Sequence, residues 1–103
     1  VNRTNNRNVY NTLEIKRRLE PVFISNGVKS AILFGSYAQG RATADSDVDI
    51  LVDSGLRGLD FVGLIENVCE ALNKKVDLID VRYINADSPI EHEVATTGVR
   101  IYG

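Results

Sequence analysis

Residues 33–52 read LFGSYAQGRATADSDVDILV, and the fold of the chain turns on how this stretch divides. An apolar run from Val28 to Phe34 closes on Gly35-Ser36. After ten intervening residues comes Asp47-Val48-Asp49, which opens a second apolar run ending at Val52. Both runs have the length and β-branched content of short strands. Ser36 to Gly40 is predicted to be a helical turn, started at Gly35-Ser36 and stopped at Gly40, with Arg41 to Ser46 as a polar loop. In the second strand Val48, Ile50 and Val52 point one way, and Asp47, Asp49 and Leu51 the other. Two carboxylates therefore share a face.

Those residue types carry chemistry. Gly35 lets the chain approach a ligand closely and adopt angles closed to other residues. Placed after a strand and before a helical turn, the amides of Ser36 and its neighbours can point at a phosphate, and the Ser36 hydroxyl adds a donor. Alone, Gly-Ser is a common turn dipeptide. Asp47 and Asp49 say more, because strands rarely tolerate Asp. Two like charges about 4 Å apart cost on the order of 4 kcal/mol at an effective dielectric of about 20. A hard divalent ion such as Mg²⁺ with oxygen ligands would offset that cost. An isolated D-x-D also has a plainer reading, in which Asp47 caps a loop and Asp49 faces water.

Asp77 shifts the balance. It lies in a third strand, predicted over Lys74 to Asp80, that can run beside the second. Three carboxylates from neighbouring strands can hold two divalent ions, one for a triphosphate and one to activate and align an attacking hydroxyl. Asp77 is the candidate to ligate the second ion and assist deprotonation. Asp80, three residues on, faces the other way.

The remaining chain supports one α/β layer structure. Ile15, Leu19, Val22 and Phe23 recur at helical spacing after a cap expected at Thr12; Pro21 interrupts the pattern, and Asn26-Gly27 ends it. Phe61, Leu64, Ile65, Val68 and Leu72 form the inner stripe of a helix over Leu59 to Leu72. Ser88-Pro89-Ile90-Glu91 is a strong helix start, with a capping box available through Glu91. That helix stops at Gly98, and Val99 to Tyr102 can form an edge strand. Residues 1–11 are polar and expected to be a flexible segment, with residues 12–103 as the single domain. Tyr37 packs or lines the site, His92 belongs to a surface, and Lys74 and Lys75 read as helix-end charges complementing the dipole.

Composition bounds the classes. The 103 residues are 44% hydrophobic and 25% charged, as in a globular domain. The single cysteine, Cys69, excludes an internal disulfide and reads as a small buried hydrophobe; with one histidine, a His/Cys zinc site is disfavoured. No apolar run approaches a membrane span and the first residues lack a signal-peptide core, so a reducing, cytoplasmic setting without a membrane partner is expected. The net charge of −2 gives no overall nucleic-acid footprint. Residues 1–18 nevertheless carry +4 (Arg3, Arg7, Lys16, Arg17 and Arg18 against Glu14), leaving −6 for the rest. A solvated face explains this end most simply, with an acidic partner or RNA as the alternative.

Gly35-Ser36, ten residues, then Asp47-x-Asp49, followed by Asp77, closely resembles the minimal nucleotidyltransferases of the DNA polymerase beta superfamily. The resemblance covers residues 12–103. It implies the nucleotidyltransferase fold, a small mixed β-sheet flanked by helices, with two Mg²⁺ ions and ATP as donor. It implies that Gly35 and Ser36 hold the triphosphate and that Asp47, Asp49 and Asp77 are the metal and catalytic triad. Small members of this kind resemble antitoxins paired with HEPN-domain ribonuclease toxins, and some transfer AMP to a tyrosine of the toxin. Family members frequently carry Arg where this chain has Gln39; Arg41, two residues on, is the available nucleotide-binding replacement. The function implied is Mg²⁺-dependent transfer of AMP to a protein hydroxyl. The alternative is an antitoxin that neutralises its partner by contact alone.

Overall fold

A computed structural model describes residues 6–103. Helix α1 (Thr12–Ser25) leads into strand β1 (Ser30–Phe34), and a single helical turn, α2 (Gly35–Ala38), follows without a linker. Strand β2 (Val48–Asp53), helix α3 (Gly58–Leu72) and strand β3 (Val76–Asp80) form a β-α-β unit. A 3₁₀ turn (Val81–Tyr83), helix α4 (Pro89–Thr97) and strand β4 (Val99–Tyr102) complete the order. The four strands lie in the order β3-β2-β1-β4. β1 is antiparallel to β2 and β4, and β2 is parallel to β3, so the sheet is mixed. The parallel pair requires the long crossover that α3 supplies.

Alternation along the strands sorts the two faces. Ala31, Leu33, Val48, Ile50, Val52, Val76 and Leu78 are buried in one core with Ile15, Leu19 and Phe23 of α1 and Leu64, Val68, Cys69 and Leu72 of α3. Cys69 is thus the buried hydrophobe its sequence setting predicts. Asp49, Asp77, Ile79 and Leu51 fall on the opposite face. Among the described residues no helix is long and apolar enough to cross a membrane.

Three local expectations are corrected. The cap of α1 is Asn11, not Thr12: its side chain accepts from Glu14 N (2.8 Å) while Glu14 Oε1 accepts from Asn11 N (3.0 Å), a complete capping box. Pro21 does not end α1, which runs on to Ser25. At α4, Ser88 caps through Glu91 N, but the Glu91 carboxylate reaches back to Asp87 N instead of closing a box. Gly27 takes the left-handed conformation expected after α1, at φ +68°.

Residues 6–11 make defined contacts with the rest of the domain; residues 1–5, with Arg3, lie outside the described residues. The Tyr10 hydroxyl is buried and donates to Leu72 O (2.9 Å). Asn6 donates to Asn73 O (2.7 Å), and Lys74 Nζ donates to Asn6 O (2.9 Å). These bonds fasten the segment to the end of α3. Arg18 stacks on the Tyr10 ring at 4.5 Å and Arg7 pairs with Asp45 (3.4 Å), so part of the basic end has intramolecular work.

Candidate active site

The site is built on a row that crosses three strands. Phe34, the last residue of β1, is the register partner of Asp49 in β2, and Asp49 is the register partner of Asp77 in β3. Parallel register places partner side chains on one face. Asp47 lies just before β2, two residues ahead of Asp49, so Asp49 and Asp77 are paired in register with Asp47 next to them in sequence.

Gly35 follows Phe34 and turns the chain away from this row. It adopts φ +73°, a conformation that L side chains rarely adopt. A Cβ built on it would collide with Asp49 Oδ2 and stand 3.2 Å from Asp49 Cγ. Glycine is therefore required twice, once for the angle and once for the space. Ser36 is the second residue of α2 and is half-buried. Within one helical turn the first amides have no intrahelical acceptor by geometry. The turn closes through Gln39 N to Gly35 O (3.2 Å) and Arg41 N to Ser36 O (2.9 Å). Arg41 is exposed, and its guanidinium donates to the Gln39 side chain. Gln39 and Arg41 are thus joined just after the turn.

Electrostatics single out Asp49. Burial, and then the charges of Asp77, Glu93 and Asp47 in that order, push its carboxyl from 3.8 up to about 6. Glu93 is a contributor that sequence reading passes over. It sits half-buried on α4, which lies against β1 and α2. No buried residue marks that helix, so its sequence gives no periodic signal of an inner face. Lys75, whose sequence setting suggests only a helix-end charge, places its ammonium 3.7 Å from Asp47 Oδ2. Asp80 does face the other way, as alternation requires. It is 2% exposed and accepts from Ser54 Oγ and N and from Arg82 N. Burial alone would raise the Asp80 carboxyl; the Ser54 and Arg82 bonds and the Arg82 charge outweigh it and hold the group below the ordinary carboxylate range.

Among the described residues no three His, Cys, Asp or Glu side chains are drawn close enough to hold a metal ion as they stand. The Asp47 carboxylate lies 3.7 Å from the Lys75 ammonium. The donor set still fits a hard divalent cation. It offers only carboxylate oxygens, which suit Mg²⁺ rather than zinc or copper, and the charges of Asp77, Glu93 and Asp47 that add to the effect of burial on Asp49 are a negative field such an ion would relieve.

Tyr37 packs: it is buried in the core cluster. Its hydroxyl has no hydrogen-bond partner among the described residues. Burial raises its phenol, with Tyr10 adding to the shift. His92 is exposed on α4, as expected of a surface residue.

Comparison with known proteins agrees with this architecture. A family model described as "Polymerase beta, Nucleotidyltransferase" matches residues 7–103. A protein of Methanocaldococcus jannaschii, provisionally named a protein adenylyltransferase, is 42% identical over 77 residues, covering 73% of this chain and 83% of its own. The protein adenylyltransferase MntA of Shewanella oneidensis is 36% identical over 73 residues, covering 69% of this chain; the match spans only 51% of MntA. A crystal structure of a toxin-antitoxin with AMP-PNP is similar at a TM-score of 0.73 and 28% identity, covering 85% of this chain and 73% of that one.

Proposed function

The chain belongs to the polymerase beta nucleotidyltransferase family, and from that membership we propose that it transfers AMP from ATP to a hydroxyl of a protein partner, a HEPN-type toxin that the transfer silences. The observation that carries the reading is the register of Asp49 with Asp77, with Gly35 set against the Asp49 carboxylate. It supplies a close backbone approach and paired carboxylates at one point. The two adenylyltransferase relatives and the AMP-PNP-bound neighbour support the donor and the reaction class.

In this reading residues 12–103 are the catalytic unit and act in the cytoplasm. Gly35 and Ser36 bind the triphosphate through backbone amides and the Ser36 hydroxyl, with Arg41 neutralising charge at its edge. Asp47, Asp49 and Asp77 would hold two Mg²⁺ ions, whose charge offsets that of the phosphates and makes a nearby hydroxyl more acidic. The acceptor oxygen forms a bond to the α-phosphorus, and the bond from that phosphorus to pyrophosphate breaks. Asp77, exposed at the outer end of the row, takes the hydroxyl proton.

The test is incubation of the chain with α-labelled ATP, Mg²⁺ and the partner toxin. Label is expected on the toxin and is expected to be lost with Asp47→Asn/Asp49→Asn. Labelling no greater than that control, while the two proteins still form a complex and the toxin is still neutralised, would favour inhibition by contact alone.

A further inference from the structure

Two adjacent lysines join α3 to β3, and they have different surroundings. Lys74 is buried, its ammonium committed to Asn6 O at 2.9 Å. Lys75 has a side chain 83% exposed, and its ammonium lies 3.7 Å from Asp47 Oδ2. Its backbone is fixed against the start of β2, because Val48 N donates to Lys75 O (3.2 Å). Alternation along the strand puts Lys75 on the same face as Asp77. The ammonium therefore stands at the rim of the carboxylate row, beside a cleft of about 180 Å³ lined by Asn6, Asp45, Ser46, Asp47, Lys74 and Lys75.

We propose that Lys75 is a positioning residue with two successive partners: it neutralises the Asp47 carboxylate in the cation-free protein, then yields it to the divalent ion and turns to the phosphates of the nucleotide. The inference rests on the cation reading of Asp47 given above. An exposed ion pair of this length is weak and screened by salt, so a divalent ion at the same oxygen displaces it at little cost. Once released, the ammonium stays tethered by a backbone that cannot move away, at the edge where an anionic ligand must enter. A solvated lysine serving only the α3 dipole would do neither.

The experiment uses the whole chain, as wild type, Lys75→Gln and Lys75→Arg, with two binding readouts. The first is Mg²⁺ alone, followed by the rise in the unfolding midpoint. Lys75→Gln is expected to bind Mg²⁺ up to about fivefold more tightly, the scale of an exposed ion pair; Lys75→Arg stays near wild type. The second is a non-hydrolysable ATP analogue at saturating Mg²⁺, followed by calorimetry. Here Lys75→Gln is expected to bind about five- to tenfold more weakly, as for loss of one charged phosphate contact. Unchanged or weaker Mg²⁺ binding in Lys75→Gln overturns the first role, since general damage to the fold cannot tighten a metal site. Unchanged analogue binding overturns the second. If wild type shows no response to Mg²⁺ at all, the cation reading itself fails, and this inference with it.

Discussion

Replacing Asp49 with Asn removes a charge that the folded chain accommodates poorly, and the consequence for stability has a defined sign. The folded-state carboxyl is raised from 3.8 to about 6 by burial and by the charges of Asp77, Glu93 and Asp47. Between those two pH values the folded chain holds a proton that the unfolded chain has released. Stability therefore falls as pH rises through this window and is lowest above it. A shift of about two units corresponds to a ceiling of about 3 kcal/mol. Asp49 is only half-buried, and solvent screening reduces the effect to about 1 kcal/mol. In EDTA and low salt, Asp49→Asn is expected to be about 1 kcal/mol more stable than wild type at pH 7.5, about 4–8 °C in Tm for a domain of this size. At pH 3.5 the two should coincide. Asp80 titrates in the opposite sense, but both proteins keep it and its effect cancels in the difference. Glu93→Gln should show the same pH pattern at smaller amplitude. Urea titrations at the two pH values decide the matter. Asp49→Asn equal to or below wild type at pH 7.5, or the same gain at both pH values, would refute the electrostatic account.

Three further outcomes follow from geometry. Gly35→Ala should lose about 1–3 kcal/mol of stability from the positive φ alone. It should also abolish binding of the ATP analogue by displacing the Asp49 carboxylate; calorimetry that finds native affinity would show the close approach to be dispensable. Ser54→Ala leaves the buried Asp80 without its hydroxyl donor, at an expected cost of about 1.5–3 kcal/mol at pH 7. Part of that cost should disappear in acid, because Asp80 contributes stability above the ordinary carboxylate range and loses it as pH falls; equal costs in denaturant titrations at pH 3 and pH 7 would contradict this. Tyr37→Phe removes a buried, unpartnered hydroxyl and should be neutral or stabilising by up to about 1 kcal/mol in thermal melts; a loss of 2 kcal/mol or more would mean that the hydroxyl has a partner.

The strands and helices were legible because two periods are plain in the sequence. The Val48-Ile50-Val52 alternation sets which face the aspartates take, and the Leu64-Val68-Leu72 spacing sets how α3 covers the core. Sequence order also indicated that Asp77 could stand beside the first two carboxylates, and the Asp49–Asp77 register delivers it. What sequence could not supply was tertiary proximity without periodicity. Glu93 reaches the site from a nine-residue helix with no buried residue. Lys75 looks like any helix-end charge until the strand start fixes it beside Asp47. The Asn11 cap was hidden because Asn11 and Thr12 are both good capping residues, and the position of Glu14 decides between them.

The parallel pairing of β2 and β3 also imposes an order in time. During synthesis Gly35, Asp47 and Asp49 emerge first, and Asp77 follows only after the whole of α3. A nascent chain that has not yet docked α3 carries the first part of the row without its last carboxylate. Completion of the row therefore reports the docking of α3 and β3, with α4 and β4 still to follow. A half-folded copy lacking β3 presents Asp47 and Asp49 with no third strand beside them.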